Sequence, residues 1–324
     1  LSPLEGMLDP GRAVLFGYAR TALEYGFRHL GLGEGDEVLY PDLICDVMMV
    51  PCRRLGLKVK FYRVGPDLGA DLESVEGLIT ARTKAVLAVN YFGLPQDLKE
   101  LKEICKRSGL YLVEDSSHSF LGKADGTAPG LRGDIGLLSF RKLVPVLNGA
   151  ALLVNTGAQG AKGLESLRRV SAGLPAERAQ GRHASYLKLV EAKYGLPLGR
   201  LRKRVAAVPP HGSTEGEAMD FGFDEWSLSV LSGYPFEREM ARRRANYRKW
   251  VERLSAKGFR KVRELPEGAV PSSCPMYVDE RDRWFSSYLS KGHRVSVWPT
   301  LPLEVWKAGG SAVSIWKRLV LFPV

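Results

Sequence analysis

The chain has 324 residues, 45% of them apolar and 26% charged. That excludes a disordered or collagen-like chain and is long enough to bury a core without disulfide or metal staples. Lys and Arg number 47 against 36 Asp and Glu, a net charge of +11, which suits acidic small molecules, nucleic acid or an anionic surface without choosing among them. At roughly 150 residues per domain, two domains are expected. The apolar spacing of Val14, Leu15, Tyr18, Ala22, Leu23 and Phe27 predicts a helix over Arg12–Leu32. A short strand at Glu37–Pro41 follows, then a helix over Leu43–Leu55 and a strand over Leu57–Val64. Asp71–Thr80 reads as helix, Lys84–Tyr91 as strand, Gln96–Ser108 as helix and Leu110–Val113 as strand. Two more strands are expected at Ile135–Phe140 and Ala150–Asn155. These strands are continuous apolar runs, the mark of strands covered on both faces by crossover helices, so the first half predicts an α/β domain with a mainly parallel sheet.

Beyond Asn155 the pattern loosens. Residues 156–184 are rich in Gly, Ala, Ser and Arg and predict a loop or exposed helices. Tyr186–Val205 reads as an amphipathic helix broken by Pro209–Gly212. Phe236–Lys257 is a long basic helix. Met276–Asp279, a helix around Trp284–Leu289, and Arg294–Trp298 suggest a smaller α+β unit. The expected division is 1–215 for the large domain, with 156–215 a divergent linker or helical segment, and 216–324 for the small one. The longest uncharged stretch, Leu143–Ala161, holds Pro145, Asn148, Asn155, Thr156 and three Gly, so no membrane span is expected. The opening residues carry Glu5 and Asp9 and no basic-then-apolar pattern, and a cytoplasmic protein is expected. Because the chain opens on Leu1, a start Met or a few residues are expected to precede it. Cys45, Cys52, Cys105 and Cys274 form no C-x-x-C pair and no His lies at zinc-ligand spacing, which predicts reduced thiols and no metal.

In an open parallel sheet, ligands bind outside the carboxyl ends of the strands. Glu114-Asp115-Ser116-Ser117-His118 follows one strand and Arg141-Lys142 follows another. Singly, each reads as a cap or a solvated charge. Together, a carboxylate and a lysine at two strand ends suit pyridoxal phosphate, which needs a lysine for a Schiff base and an acid to keep its ring nitrogen protonated. Its phosphate needs N–H donors at a helix N-terminus and hydroxyls. Ser139 could supply a hydroxyl. The segment Tyr18-Ala19-Arg20-Thr21 could supply the rest if the first helix starts nearer Tyr18 than Arg12.

Six segments, in order, resemble the DegT/StrS-type sugar aminotransferases of the aspartate-aminotransferase fold (fold type I). They are Gly-Tyr-Ala-Arg-Thr-Ala-Leu (17–23), Leu-Gly-Glu-Gly-Asp-Glu-Val-Leu-Tyr-Pro (32–41), Thr-Lys-Ala-Val-Leu-Ala-Val-Asn-Tyr-Phe-Gly-Leu-Pro-Gln-Asp (83–97), Leu-Val-Glu-Asp-Ser-Ser-His-Ser (112–119), Gly-Asp-Ile-Gly-Leu-Leu-Ser-Phe-Arg-Lys (133–142) and Asn-Gly-Ala-Ala-Leu-Leu (148–153). The likeness covers roughly 11–155, with 243–247 and the Trp298-Pro299 region fitting more loosely. It implies the fold type I architecture: a mainly parallel seven-stranded sheet and a smaller α+β C-terminal domain. It implies that Lys142 anchors pyridoxal 5'-phosphate and moves the proton between Cα and C4′, and that Asp115 pairs with the pyridine nitrogen. His118 would sit near the phenolic oxygen, and Ser139 with the backbone of Ala19 and Arg20 would hold the phosphate. The implied reaction takes an amine from a donor, glutamate in this family, to a keto-sugar, usually nucleotide-linked, in amino-sugar or secondary-metabolite synthesis. A homodimer with the site at the subunit interface is implied too.

The chain departs from the family pattern in five places. Tyr18-Ala19 stands where many members have Ser-Gly, and Cys45 where many place an aromatic on the ring. Ser139 and Lys142 are spaced S-x-x-K rather than S-x-x-x-x-K. Residues 143–150 lack the usual Gly-Glu-Gly-Gly, and 156–215 shows no equivalent of the partner-subunit phosphate contact. Another amine reaction on the same fold, or a non-catalytic binding or regulatory relative, are the alternatives. Sugar dehydratases of the family carry His for the lysine, and Lys142 argues against that variant.

Other features read more plainly. Gly31-Leu-Gly33-Glu-Gly35 follows a helix and precedes a strand, the reverse of a dinucleotide loop, and predicts a helix end and turn. Arg238, Arg242, Arg243, Arg244, Arg248 and Lys249 read as a solvated helix face paired with Glu237, Glu239 and Glu252, or as attraction for an anionic sugar nucleotide, ahead of a nucleic-acid surface. His183, His211 and His293 receive no role. The late tryptophans are expected to pack in the core or between domains.

Overall fold

The computed structural model describes residues 4–146, 148–155, 157–175 and 220–324. The apolar runs of the first half form one seven-stranded sheet of β1 (Ala13–Phe16), β2 (Glu37–Pro41), β3 (Lys58–Tyr62), β4 (Thr83–Val89), β5 (Tyr111–Asp115), β6 (Ile135–Ser139) and β7 (Ala150–Val154). The order is β1-β7-β6-β5-β4-β2-β3. Only β7 runs against its neighbours, β1 and β6; the pairs from β6 to β3 are parallel. Every residue of β2, β6 and β7 is buried, as the unbroken apolar runs require.

The helices of this half are α1 (Ala19–His29), α2 (Met49–Leu55), α3 (Leu72–Leu78), α4 (Lys99–Ser108) and α5 (Gly157–Gly173). α1 packs on β6 and β7, α5 on β1, and α4 on β5. The apolar stripe of α1 buries Ala22, Leu23 and Phe27 completely. α3 begins where the Asp71 side chain accepts the Ser74 N–H at 2.9 Å, an N-cap worth about 1 kcal/mol.

The second half supplies α6 (Glu225–Ser232), α7 (Phe236–Ser255), α8 (Arg281–Ser290), α9 (Leu303–Ala308) and α10 (Ser311–Arg318). An antiparallel sheet of β8 (Arg260–Lys261), β9 (Ser273–Tyr277) and β10 (Leu319–Pro323) lies in the order β10-β9-β8. Tyr247 and Leu254 of α7 share a core with Met276, Tyr288 and Phe322. Val230, Leu231, Tyr234, Phe236 and Met240 pack instead with Leu138 and Phe140 at the large sheet.

Four differences from the expectation have physical causes. The first half of the Arg12–Leu32 helix is β1, because Ala13–Phe16 pairs antiparallel with β7 along its whole length. Gly17 then ends it where a Cβ would strike the Phe221 carbonyl oxygen, and the helix starts only at Ala19. The Leu43–Leu55 helix is a 3₁₀ turn at Asp46–Met48 leading into α2, with Pro51 in the first turn, where its missing N–H is harmless. Arg294–Trp298 is not a strand; Ser296 alone bridges Leu321. α6, α9, α10 and β10 lie outside the predicted elements, since helices of six to eight residues show only about two turns of periodicity. The first turns of the 156–184 segment are helical, as α5. The Tyr186–Val205 helix, the Pro209–Gly212 break, His183 and His211 lie outside the described residues.

Gly31 and Gly35 take φ of 78° and 86°, the turn expected after α1 and the left-handed region that favours glycine. Among the described residues no helix is long and apolar enough to cross a membrane, and no group of His, Cys, Asp or Glu could hold a metal. The cysteines are free, and burial pushes the thiols of Cys52, Cys105 and Cys274 up to about 12.

Candidate active site

β4, β5 and β6 end side by side, and Val89, Asp115 and Ser139, their last residues, line one cleft. Tyr18, Ala19 and Arg20 enter it from the start of α1, and Cys45 from the turn after β2. Ser117, His118, Arg141 and Lys142 enter from the turns after β5 and β6, and Trp298 and Pro299 from the C-terminal half. All seven residues singled out in the sequence, Ala19, Arg20, Cys45, Asp115, His118, Ser139 and Lys142, therefore meet here. The cleft has a cavity volume of about 130 Å³ and opens to solvent on its outer side.

Lys142 Nζ lies 2.9 Å from His118 Nε2. The lysine side chain is exposed to the cleft yet surrounded by protein, and this desolvation lowers its pKa; Arg141 also lowers it, while Cys45 and Asp115 pull the other way. Desolvation, with the Lys142 charge adding, holds His118 well below its ordinary value. A neutral imidazole then accepts the Lys142 N–H at Nε2, a tautomer assigned from this bond. Asp115 is 6% exposed. Burial raises its pKa, against hydrogen bonds from Ser117, including the Ser117 N–H at 2.9 Å, and the Lys142 charge. Among the described residues only Ser117 hydrogen-bonds this carboxylate, so it faces the cleft without a cation paired to it.

Lining the same cleft, α1 starts with no side chain capping it and no acid in its first turn, so the positive end of its dipole favours an anion there. Arg20 and Arg141 both lie over the Tyr18 ring, 4.8 and 5.2 Å from its centroid. Cys45 Sγ is 3.5 Å from Thr300 Oγ1, so the position where an aromatic was missed is joined to the C-terminal half. His118 and Trp298 line the same cleft, their rings tilted 32° with centroids 5.7 Å apart.

Two sets of residues escaped the sequence reading. Glu114 and Asp115 are neighbours on a strand, so they point to opposite faces. Asp115 meets the cleft, whereas Glu114, fully buried, bonds Arg132 Nη2 at 2.6 Å, Arg132 Nε at 2.9 Å, Asn90 Nδ2 at 2.8 Å and the Arg132 N–H at 2.8 Å. Arg132 Nη1 reaches the Gln96 carbonyl at 2.8 Å, and Asn90 also bonds Ser116 and Gln96. This network underlies the cleft floor; Asn90 and Gln96 sit in a recognised segment, but nothing local marks them as partners. The second set is Phe92 and Trp298. Phe92 has φ 56°, uncommon for a bulky residue, and sets its ring edge-on to His118 and to Trp298 at 5.8 and 5.5 Å.

The basic helix face is partly structural. Arg243, 8% exposed, pairs with Glu239 and donates to the Leu143 and Ser272 carbonyls, and Arg244 donates to those of Ala269 and Gly268. His293 packs against Trp250 and Tyr288.

The donor set fits pyridoxal phosphate: a buried carboxylate without a cation paired to it, an amine of lowered pKa, and an uncapped helix start, all lining one cleft. Comparison with known proteins points the same way. A 32% identical stretch of 143 residues, 44% of this chain and 37% of the relative, is shared with dTDP-4-dehydro-2,3,6-trideoxy-D-glucose 4-aminotransferase of Saccharopolyspora spinosa. GDP-perosamine synthase of Vibrio cholerae is 32% identical over 121 residues, 37% of this chain and 33% of the relative. The match thus spans about a third of the length of these curated relatives. Among solved structures, a DegT-type aminotransferase from Brucella abortus aligns over 100% of this chain and 84% of its own with TM-score 0.72 at 20% identity. The Streptococcus pneumoniae protein Spr1654 in its PLP form aligns over 99% and 84% with TM-score 0.70 at 17% identity. Both share the fold. The model of the DegT/DnrJ/EryC1/StrS aminotransferase family, whose members are PLP-dependent, matches residues 8–184, more than half the chain, and the chain belongs to that family.

Proposed function

We propose that this protein is a pyridoxal-phosphate-dependent aminotransferase that takes an amine from an amino-acid donor, glutamate first, and passes it to a nucleotide-linked keto-sugar. The observation that carries the reading is the convergence of Asp115, His118 and Lys142 on one cleft, which the uncapped start of α1 and Ser139 also line. Pyridoxal phosphate, when bound, supplies an electron sink for the bond cleaved at the substrate's amine-bearing carbon.

The chain's own residues do the rest. Lys142 would hold the cofactor through Nζ; its lowered pKa favours the neutral amine, the form that can act as nucleophile and then as proton carrier at Nζ. His118 Nε2, 2.9 Å away, orients that amine and, staying neutral, does not compete with it as a cation. Asp115 would pair with the pyridine nitrogen, where a carboxylate in so dry a site has strong preference for a cationic partner. Phe92 and Trp298 brace the His118 ring and keep water from that flank. A homodimer with the cleft at the subunit boundary goes with the reading, as the family likeness implies.

The two relatives' names carry a dTDP-linked 4-dehydro hexose and GDP-linked perosamine, so dTDP- and GDP-linked keto-hexoses are the acceptors to try. The purified protein is expected to take up pyridoxal phosphate with a visible absorption band, to lose the band with glutamate, and to regain it on adding a 4-keto dTDP- or GDP-hexose with formation of the amino sugar. Lys142→Ala should bind the cofactor without that band. Wild-type protein that gives no band, or a band that survives Lys142→Ala, refutes the reading.

A further inference from the structure

We propose that Arg253, Lys257, Lys291 and His293, gathered on the paired rings of Trp250 and Tyr288, form a binding site for a diphosphate-type anion on the C-terminal half of the chain. None of these residues lines the cleft, and the site does not rest on the function proposed above. Arg253 Cζ lies 5.7 Å from the centroid of the Trp250 ring, and Lys257 Nζ and Lys291 Nζ lie 5.6 and 5.9 Å from that of Tyr288. The two rings meet edge to face with centroids 6.1 Å apart, and the His293 ring sits 5.4 Å from Trp250 and 5.5 Å from Tyr288. The ring pair thus gathers four basic groups in one corner. Arg253, Lys257 and Lys291 are exposed and His293 is half-buried, so the N–H groups of the three cations can reach a ligand.

No described carboxylate forms an ion pair with Arg253, Lys257 or Lys291. Desolvation, and then the charges of Arg253, Lys291 and Lys257, hold the His293 pKa below its ordinary value, and no acid opposes them. Lys249, Arg253 and Lys257 also follow one another four apart, a spacing at which like charges on a helix cost stability. The corner lies where α7 ends at Ser255 and α8 at Ser290. Each helix end presents roughly half an elementary negative charge, so together they offset about one of the three permanent cations and leave about two. That surplus is spread over both rings. A diphosphate matches its size and spread better than a monoanion does, and guanidinium and ammonium both bind phosphate oxygens. Phe322 lies 4.9 Å from Trp250, whose ring also carries Arg253, and Tyr288 is 2% exposed. Neither ring therefore offers a free face for a base to stack on, which sets this corner apart from a groove for single-stranded nucleic acid.

The test reads the site directly, without turnover. The full chain is titrated with inorganic diphosphate at fixed ionic strength while NMR follows the His293 imidazole, its signal assigned with His293→Gln. A bound anion favours the imidazolium, so the signal is expected to move saturably and its pKa to rise. Exposed charge pairs are worth about 2- to 5-fold each, so Lys291→Gln should weaken diphosphate by that factor, and Arg253→Gln, Lys257→Gln and Lys291→Gln together by roughly 10- to 100-fold. The triple variant loses only exposed charges that repel one another, so its Tm should not fall. If it proves unstable, Lys291→Gln and the wild-type titration still decide. A His293 signal that diphosphate leaves in place, or that sodium chloride at the same ionic strength moves as far, overturns the site. An affinity unchanged in the triple variant does so too. An oligonucleotide that moves the signal where diphosphate does not overturns it in favour of a nucleic-acid surface.

Discussion

Arg132→Met removes the guanidinium from beneath the cleft floor while keeping most of the apolar stem. Four side-chain contacts go with it: to Glu114 at 2.6 and 2.9 Å, to the Gln96 carbonyl at 2.8 Å and to Asn90 Oδ1 at 3.2 Å. The Glu114 carboxylate, 0% exposed, keeps only the Asn90 amide and the residue 132 N–H. Breaking a buried pair from one side leaves an uncompensated charge and costs about 3–5 kcal/mol, a large part of the roughly 5–15 kcal/mol that holds a domain. Adding Glu114→Gln removes that charge, and its amide oxygen can still accept the residue 132 N–H. The double variant is therefore expected to recover at least about 1.5 kcal/mol over Arg132→Met alone. Urea unfolding followed by far-UV circular dichroism and by tryptophan fluorescence measures both. A loss below about 1 kcal/mol for the single variant, or strictly additive losses, would refute the account of Glu114 as a charge held only by its partner.

Two further outcomes follow from the site. Gly93→Ala should lower stability by at least about 2 kcal/mol, read as a fall in Tm, because φ there is 85° and a Cβ would run into the Val270 carbonyl and the Pro271 backbone; a Tm within error of wild type would contradict the packing of this turn. Burial keeps His118 neutral well below its ordinary 6.5, whereas the unfolded chain protonates there. The unfolded state thus binds the extra proton, and stability falls as pH drops through about 6.5. His29 and His293, lowered mainly by desolvation, share that window. His118→Asn should remove one group's portion of the slope, at most about 1.4 kcal/mol per pH unit, in unfolding titrations across mildly acidic pH; an unaltered slope would place His118 outside the dry part of the cleft.

That the candidate residues would meet at one sheet edge was readable before the fold because it depends on local order. Each buried strand of a parallel sheet is an apolar run, and the residue that ends it, Asp115 or Ser139, must lie at the carboxyl edge. Lys142 and His118 follow within three residues, too close to go elsewhere. What the sequence could not show depends on long-range pairing. Ala13–Phe16 is a strand only because β7, more than a hundred residues on, offers it an edge. Cys45 meets Thr300, and His118 meets Trp298, across separations that no periodicity encodes. Glu114 and Asp115 look alike in sequence; the pleat turns one to the cleft and the other to Arg132, and only the packed sheet says which charge is spoken for and which is left for a ligand.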